Sequence, residues 1–111
     1  MTNKLSGQVD FELDGVAYGL KLGMNAICEI EAATNSSINE LQEQLNNPSK
    51  FRVTDLRILF FACLKAGGSK VETLEDAGNV LDRLGLEKGG QLLGEATQLA
   101  FPGAAVDEGK T

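Results

Sequence analysis

The stretch Thr54-Asp55-Leu56-Arg57-Ile58-Leu59-Phe60-Phe61-Ala62-Cys63-Leu64-Lys65-Ala66 contains the longest apolar run in the chain, Ile58 to Leu64. Wound at about 100° per residue, it gathers Leu56, Leu59, Phe60, Cys63 and Leu64 into one broad stripe. Ile58 and Phe61 fall on the other side, among Arg57 and Lys65. Thr54 stands where a cap would satisfy the first N–H groups, and Asp55 where an acid favours the positive end of the helix. Gly67-Gly68 supplies the exit. A helix apolar on two sides is either packed from both or keeps one face for another chain. The spacing therefore predicts a central helix with the remaining elements arranged around it.

Toward the N-terminus, Gln8-Val9-Asp10-Phe11-Glu12-Leu13 alternates strictly between polar and apolar, and Val16-Ala17-Tyr18-Gly19-Leu20-Lys21-Leu22 alternates again. Asp14-Gly15 between them is a strong hairpin signal, because a type I′ turn needs positive φ at both central residues. Val9, Phe11 and Leu13 should share a face with Val16, Tyr18, Leu20 and Leu22. The opposite face carries Asp10, Glu12, Ala17, Gly19 and Lys21. An isolated hairpin is marginal in water, so this one must lie on helices or pair its edge with another chain.

Between hairpin and central helix, Asn25 is positioned to cap a helix over Ala26–Ala33, with Ile27, Ile30 and Cys28 inward. Ser37 with Glu40 is a capping-box pattern that starts a second helix, Ile38 to about Leu45. Asn46-Asn47-Pro48-Ser49 breaks it. After the central helix, Thr73 with Asp76 caps a helix bearing Leu74, Ala77, Val80, Leu81 and Leu84, and Gly85 ends it. Leu86–Gly90 reads as a loop and Gln91–Phe101 as the last helix, in which Gly94 suggests close packing. The expected fold is α+β and mostly α: an N-terminal β-hairpin followed by about five helices in one small bundle-like domain. Residues 1–7 are expected to be a flexible N-terminus, 8–103 the globular domain and 104–111 a flexible tail.

Composition narrows the function. At 111 residues, 42% apolar and 23% charged, the chain is one domain's worth with a real core. No apolar run approaches the roughly 20 residues of a spanning helix, and Met1–Gly7 lacks the apolar segment of a signal peptide. The expected location is the cytoplasm. Net charge is −6, and the ten Lys and Arg are scattered singly, which argues against a nucleic-acid partner. The absence of histidine removes the usual metal ligand and the usual neutral-pH acid–base group. Cys28 and Cys63 sit in helical, apolar surroundings and read as small buried hydrophobes.

Catalytic patterns fail one by one. Gly109-Lys110-Thr111 looks like the end of a phosphate-binding loop, but Ala104 stands where a glycine is required and no helix follows. Glu29 and Glu31 point different ways on a helix. Asp10, Glu12 and Asp14 read better as blunting of an edge strand than as a cation site. Neither cysteine has a histidine to activate it. No catalytic, cofactor-binding or metal-ligating residue is assigned, and the protein is not expected to be an enzyme. What remains is surface: Ile58 and Phe61 on the central helix, and the small flat hairpin face at Ala17 and Gly19, whose edge could accept a partner's strand.

The order of motifs carries a resemblance. The opening Gly7-Gln8-Val9-x-Phe11-x-Leu13-Asp14-Gly15-x-x-Tyr18-x-Leu20 leads into Ala26-Ile27-Cys28-Glu29-Ile30-Glu31. A short Leu-rich helix, a helix ending Leu64-Lys65-Ala66-Gly67-Gly68 and a Gly-rich last helix follow. Over residues 7–103 this resembles the small tail proteins of tailed phages, prophages and gene transfer agents, variously called tail tube protein or tail assembly chaperone. The resemblance implies a non-catalytic role without cofactors. A chaperone would bind the tape-measure protein and tube subunits during assembly. A tube or tail-completion subunit would stay in the particle, in rings joined by β-sheet. The low strand content expected here favours the chaperone. A small bacterial interaction domain unrelated to phage is the further alternative, and a homo-oligomer stays open.

Overall fold

The computed structural model describes residues 2–3, 7–47 and 51–101. Its strands are β1 (Thr2–Asn3), β2 (Gln8–Leu13) and β3 (Val16–Lys21), and its helices are α1 (Met24–Thr34), α2 (Ile38–Asn46), α3 (Val53–Ala66), α4 (Leu74–Leu84) and α5 (Leu86–Ala100). The fold class is as the sequence predicts: a hairpin followed by five helices, mostly α.

The hairpin forms as its turn chemistry demands. Asp14 and Gly15 have φ of 53° and 80°, the left-handed pair of a type I′ turn. That turn sets the register Leu13↔Val16, Phe11↔Tyr18 and Val9↔Leu20, so the apolar residues share one face. Phe11 and Tyr18 stack at 5.2 Å between ring centroids, a cross-strand pair that ties the two strands together. Val9 and Leu20 are buried beneath the helices. β1 adds antiparallel to the outer side of β2, Thr2 opposite Val9 and Asn3 opposite Gln8.

α3 is the central helix. Leu56, Leu59, Phe60, Cys63 and Leu64 are all buried, joined by Ala62 and Asp55. At 100° per residue these positions sweep about 200° of the helix, which is why the apolar run spills beyond a single stripe. α3 packs on β3, α1, α4 and α5. Its exit is a Schellman motif: Gly68 has φ of 81°, Ser69 N–H donates to the Leu64 carbonyl at 2.9 Å, and Gly68 N–H donates to the Lys65 carbonyl at 3.1 Å.

Five local expectations are corrected. α3 starts two residues earlier than the cap at Thr54 would put it; Arg52 is the N-cap and makes no side-chain bond, and Thr54 lies within the helix. α1 starts at Met24 with Gly23 as an uncapped N-cap, so Asn25 is helical rather than a cap. In both cases the helix starts without a side-chain cap. Leu86–Gly90 is not a loop but the first part of α5. The glycine that allows close packing there is Gly89, where a Cβ would lie 2.5 Å from Leu81 Cδ2, while one on Gly94 would meet nothing within 4 Å. Cys28 is exposed, because Ala26 and Ile30, four apart, define the buried line of α1 and Cys28 lies about halfway round.

Both expected capping boxes are present. Ser37 Oγ accepts from Glu40 N–H, and Glu40 accepts from Ser37 N–H at 2.8 Å. Thr73 Oγ1 accepts from Asp76 N–H at 3.1 Å, and Asp76 Oδ2 accepts from the N–H groups of Glu72 and Thr73 at 2.9 and 3.1 Å. These backbone donors hold the Asp76 carboxyl below its ordinary pKa. The folded value lies under the unfolded one, so the stability that this cap contributes is complete above about pH 4 and is lost as pH falls through the folded value. Urea midpoints of wild type and Asp76→Asn should therefore differ at pH 6 and differ by less at pH 3. A gap of unchanged size at both pH values would refute the linkage.

The stop expected at Pro102-Gly103, most of the break at Pro48-Ser49 and the tail 104–111 lie outside the described residues. α5 ends at Ala100 with Phe101 as its C-cap.

Candidate functional site: surfaces left for a partner

The outer side of α3 is the first surface. Ile58 and Phe61 are both half-buried. Phe61 leans against the core, and the Lys65 ammonium sits 4.9 Å from its ring centroid, a cation–π contact between residues one turn apart. Lys65 Nζ also reaches Glu29 Oε1 of α1 at 3.5 Å. The neighbouring α1 and the lysine thus screen Phe61 in part. Ile58, two positions from the buried Phe60, has one side toward solvent.

The hairpin's outer face is the second. Ala17 is exposed, but Gly19 is buried. The expectation of a free edge at Gly19 does not hold. Ser69, just past α3, places its Oγ at 2.9 Å from both backbone groups of Gly19, accepting from the N–H and donating to the carbonyl. Gly67 lies against the same residue: a Cβ on Gly67 would overlap the Gly19 carbonyl oxygen and come within 2.5 Å of its carbon. Ala17 and Gly19 therefore do not make one open patch with each other, and neither strand position joins the α3 surface.

A third surface was not legible as such in the sequence. Leu45, Phe51, Val53, Leu56 and Leu86 line an open groove of about 600 Å³ where the end of α2 and the starts of α3 and α5 meet. Val53 and Leu86 are 57% and 52% exposed at its rim. The signal for it was present: Val53 precedes the supposed cap and Leu86 lies in the supposed loop, and neither role explains a large apolar side chain.

Chemically reactive groups are few. Cys63 is wholly buried, and that burial pushes its thiol up to about 12. Cys28 is exposed on α1. A thiol reagent such as dithionitrobenzoate should therefore label one cysteine per native chain, Cys28, and the second only after denaturation. Fast labelling of both in the native state would refute this assignment. Among the described residues no group of three His, Cys, Asp or Glu is arranged to hold a metal ion. No helix among them is long and apolar enough to cross a membrane.

No curated protein and no solved structure matches the chain. A family model does: its description is phage tail tube protein, GTA-gp10, and it matches residues 6–86, from just before β2 to the first residue of α5. With most of its length matched, and with the hairpin and the helices α1 to α4 all inside that match, the chain belongs to this family of phage and gene-transfer-agent tail proteins.

Proposed function

We propose that this tail protein acts as a non-catalytic tail assembly chaperone in the host cytoplasm, binding the tape-measure protein and tube subunits while the tail is built. The observation that carries the reading is the state of the sheet. It has three short strands, with β1 lying along the start of β2 and the middle of β3 closed by Ser69. Subunits that join through a continuous β-sheet need open edges, whereas here Ser69 closes the centre of the β3 edge and β1 covers Gln8 and Val9 of β2. The helices, which make up most of the fold, are the surfaces through which it would bind.

A second reading, a structural tube or tail-completion subunit, is favoured by the family's own description. Membership of a phage tail family leaves nothing to support an interaction domain unrelated to phage. Two measurements separate the remaining readings. Co-expression with the tape-measure protein should give a soluble complex, and mature particles should lack the chain. Its presence in purified particles at ring stoichiometry, with no effect on tape-measure solubility, would establish the tube reading instead.

Ile58 and Phe61, with exposed Ala17 as a lesser candidate, are the proposed contact residues. Phe61→Ser should weaken the tape-measure complex at least about tenfold, equivalent to about 1.4 kcal/mol, while circular dichroism stays native. Loss of folding would instead make Phe61 a core residue.

A further inference from the structure

The β3 edge combines the Ser69 closure with a second observation, the close approach of Gly67, that the proposed function does not use. In an antiparallel pair, alternate residues turn both backbone groups toward the partner strand. The two-residue turn makes Leu13 and Val16 such a pair, and therefore Phe11 with Tyr18 and Val9 with Leu20. Ala17, Gly19 and Lys21 turn theirs away from β2. At the centre of this outward row, a single side chain replaces a strand: Ser69 Oγ takes the N–H and the carbonyl of Gly19, each at 2.9 Å. Beside it, Gly67 occupies the space in which an added strand would run, close enough that only a glycine fits at that position.

We propose that the Gly67–Gly68–Ser69 turn is a guard on a latent strand-docking edge, and that the occupant of the unguarded edge is the same β3 edge of a second copy. The pairing is self-complementary. Antiparallel alignment about Gly19 sets glycine against glycine and Ala17 of one copy against Lys21 of the other, so no like charges meet. Tyr18 and Leu20 would continue one apolar face across the junction, an isologous contact with two-fold symmetry. The outer row of β2 offers no such match, since Asp10 and Glu12 of two copies would oppose acid with acid. The guard thus separates a sheet that ends at β3 from one that runs on into a neighbour. It holds for either reading of the protein's role in the tail.

Amide exchange and sedimentation of the full-length chain test it. In the wild type the Gly19 amide should exchange slowly although it faces outward. Ser69→Ala should speed that exchange about tenfold, as loss of one hydrogen bond implies, with Gly67 still covering the edge and the mass unchanged. Gly67→Val, whose side chain cannot share the space with Gly19, should expel the turn and about double the weight-average mass relative to wild type. Adding Ala17→Pro, which removes an outward N–H from the edge, should restore the wild-type mass. If Gly67→Val does not fold, Ser69→Asp takes its place, because a carboxylate facing the Gly19 carbonyl also drives the turn away. A Gly19 amide as slow in Ser69→Ala as in wild type overturns the proposal. So does an expelled turn with unchanged mass, or an association that Ala17→Pro leaves intact.

Discussion

Phe60→Ala should lower the free energy of unfolding by about 3–5 kcal/mol, the largest loss expected from any single truncation in this chain. Phe60 has no exposed surface and sits in the middle of α3, facing the sheet. Its ring lies 6.2 Å from that of Phe11, which in turn stacks on Tyr18. Truncation removes the apolar transfer term, leaves a cavity that the strands above cannot collapse into, and breaks an aromatic contact of about 0.5–1.5 kcal/mol. Domains of this size are stable by about 5–15 kcal/mol in total. The variant should therefore melt roughly 12–20 °C lower and show a reduced urea midpoint with an unchanged slope. Phe60→Leu, which refills much of the volume, should retain most of the stability. A Phe60→Ala midpoint indistinguishable from wild type would mean that the core is not organised around this ring.

Gly67→Ala should follow, at about 1–3 kcal/mol or somewhat more. The added methyl would meet the carbonyl oxygen and carbon of Gly19 and the backbone nitrogen of Leu20, and none of these can swing aside as a side-chain end can. The end of α3 and strand β3 must part, and the Ser69 bonds to Gly19 are strained with them. Two neighbouring substitutions calibrate the effect. At Gly68 a methyl would meet nothing within 4 Å, and only the left-handed φ of 81° opposes it, so Gly68→Ala should cost about 1 kcal/mol. At Gly19 the closest atoms belong to the Gln8 side chain, which can move, with Gly67 oxygen at 3.0 Å behind it. The order Gly67 > Gly19 in urea denaturation is the discriminating result. Equal costs would show that the backbone approach is looser than described.

These two cases also show what a sequence can disclose. Phe60 was legible because burial of a helix face follows from spacing alone, and the hairpin because Asp14-Gly15 dictates both its turn and its register. The capping boxes at Ser37 and Thr73 are local, self-contained bonds within four residues, and they were read correctly. Gly67 and Gly19 were not paired in advance, because no periodicity relates positions 48 apart whose meaning is the absence of a side chain. The starts of α1 and α3 each lie two residues before the expected ones, since Gly23 and Arg52 cap nothing with their side chains. Gly89-Gly90 suggested a break, whereas Gly89 is where Leu81 needs room. For the candidate surface, Ile58 and Phe61 were found as the off-stripe residues of α3. The groove beside Val53 and Leu86 needed the three-dimensional meeting of helix ends that no single segment encodes.

One junction has a consequence for how this chain can vary in length. Gly85, with φ of 92°, is at once the last cap of α4 and the first cap of α5. A single residue separates two helices of eleven and fifteen residues, so the joint has no slack to absorb a change. One residue inserted after Gly85 within α5 would turn everything beyond it by about 100° about the helix axis. Leu92, Leu93 and Ala96, all buried, would then face away from the sheet they cover. Homologous chains that keep this elbow must therefore keep its spacing to the residue, and their insertions and deletions should gather between α2 and α3 instead.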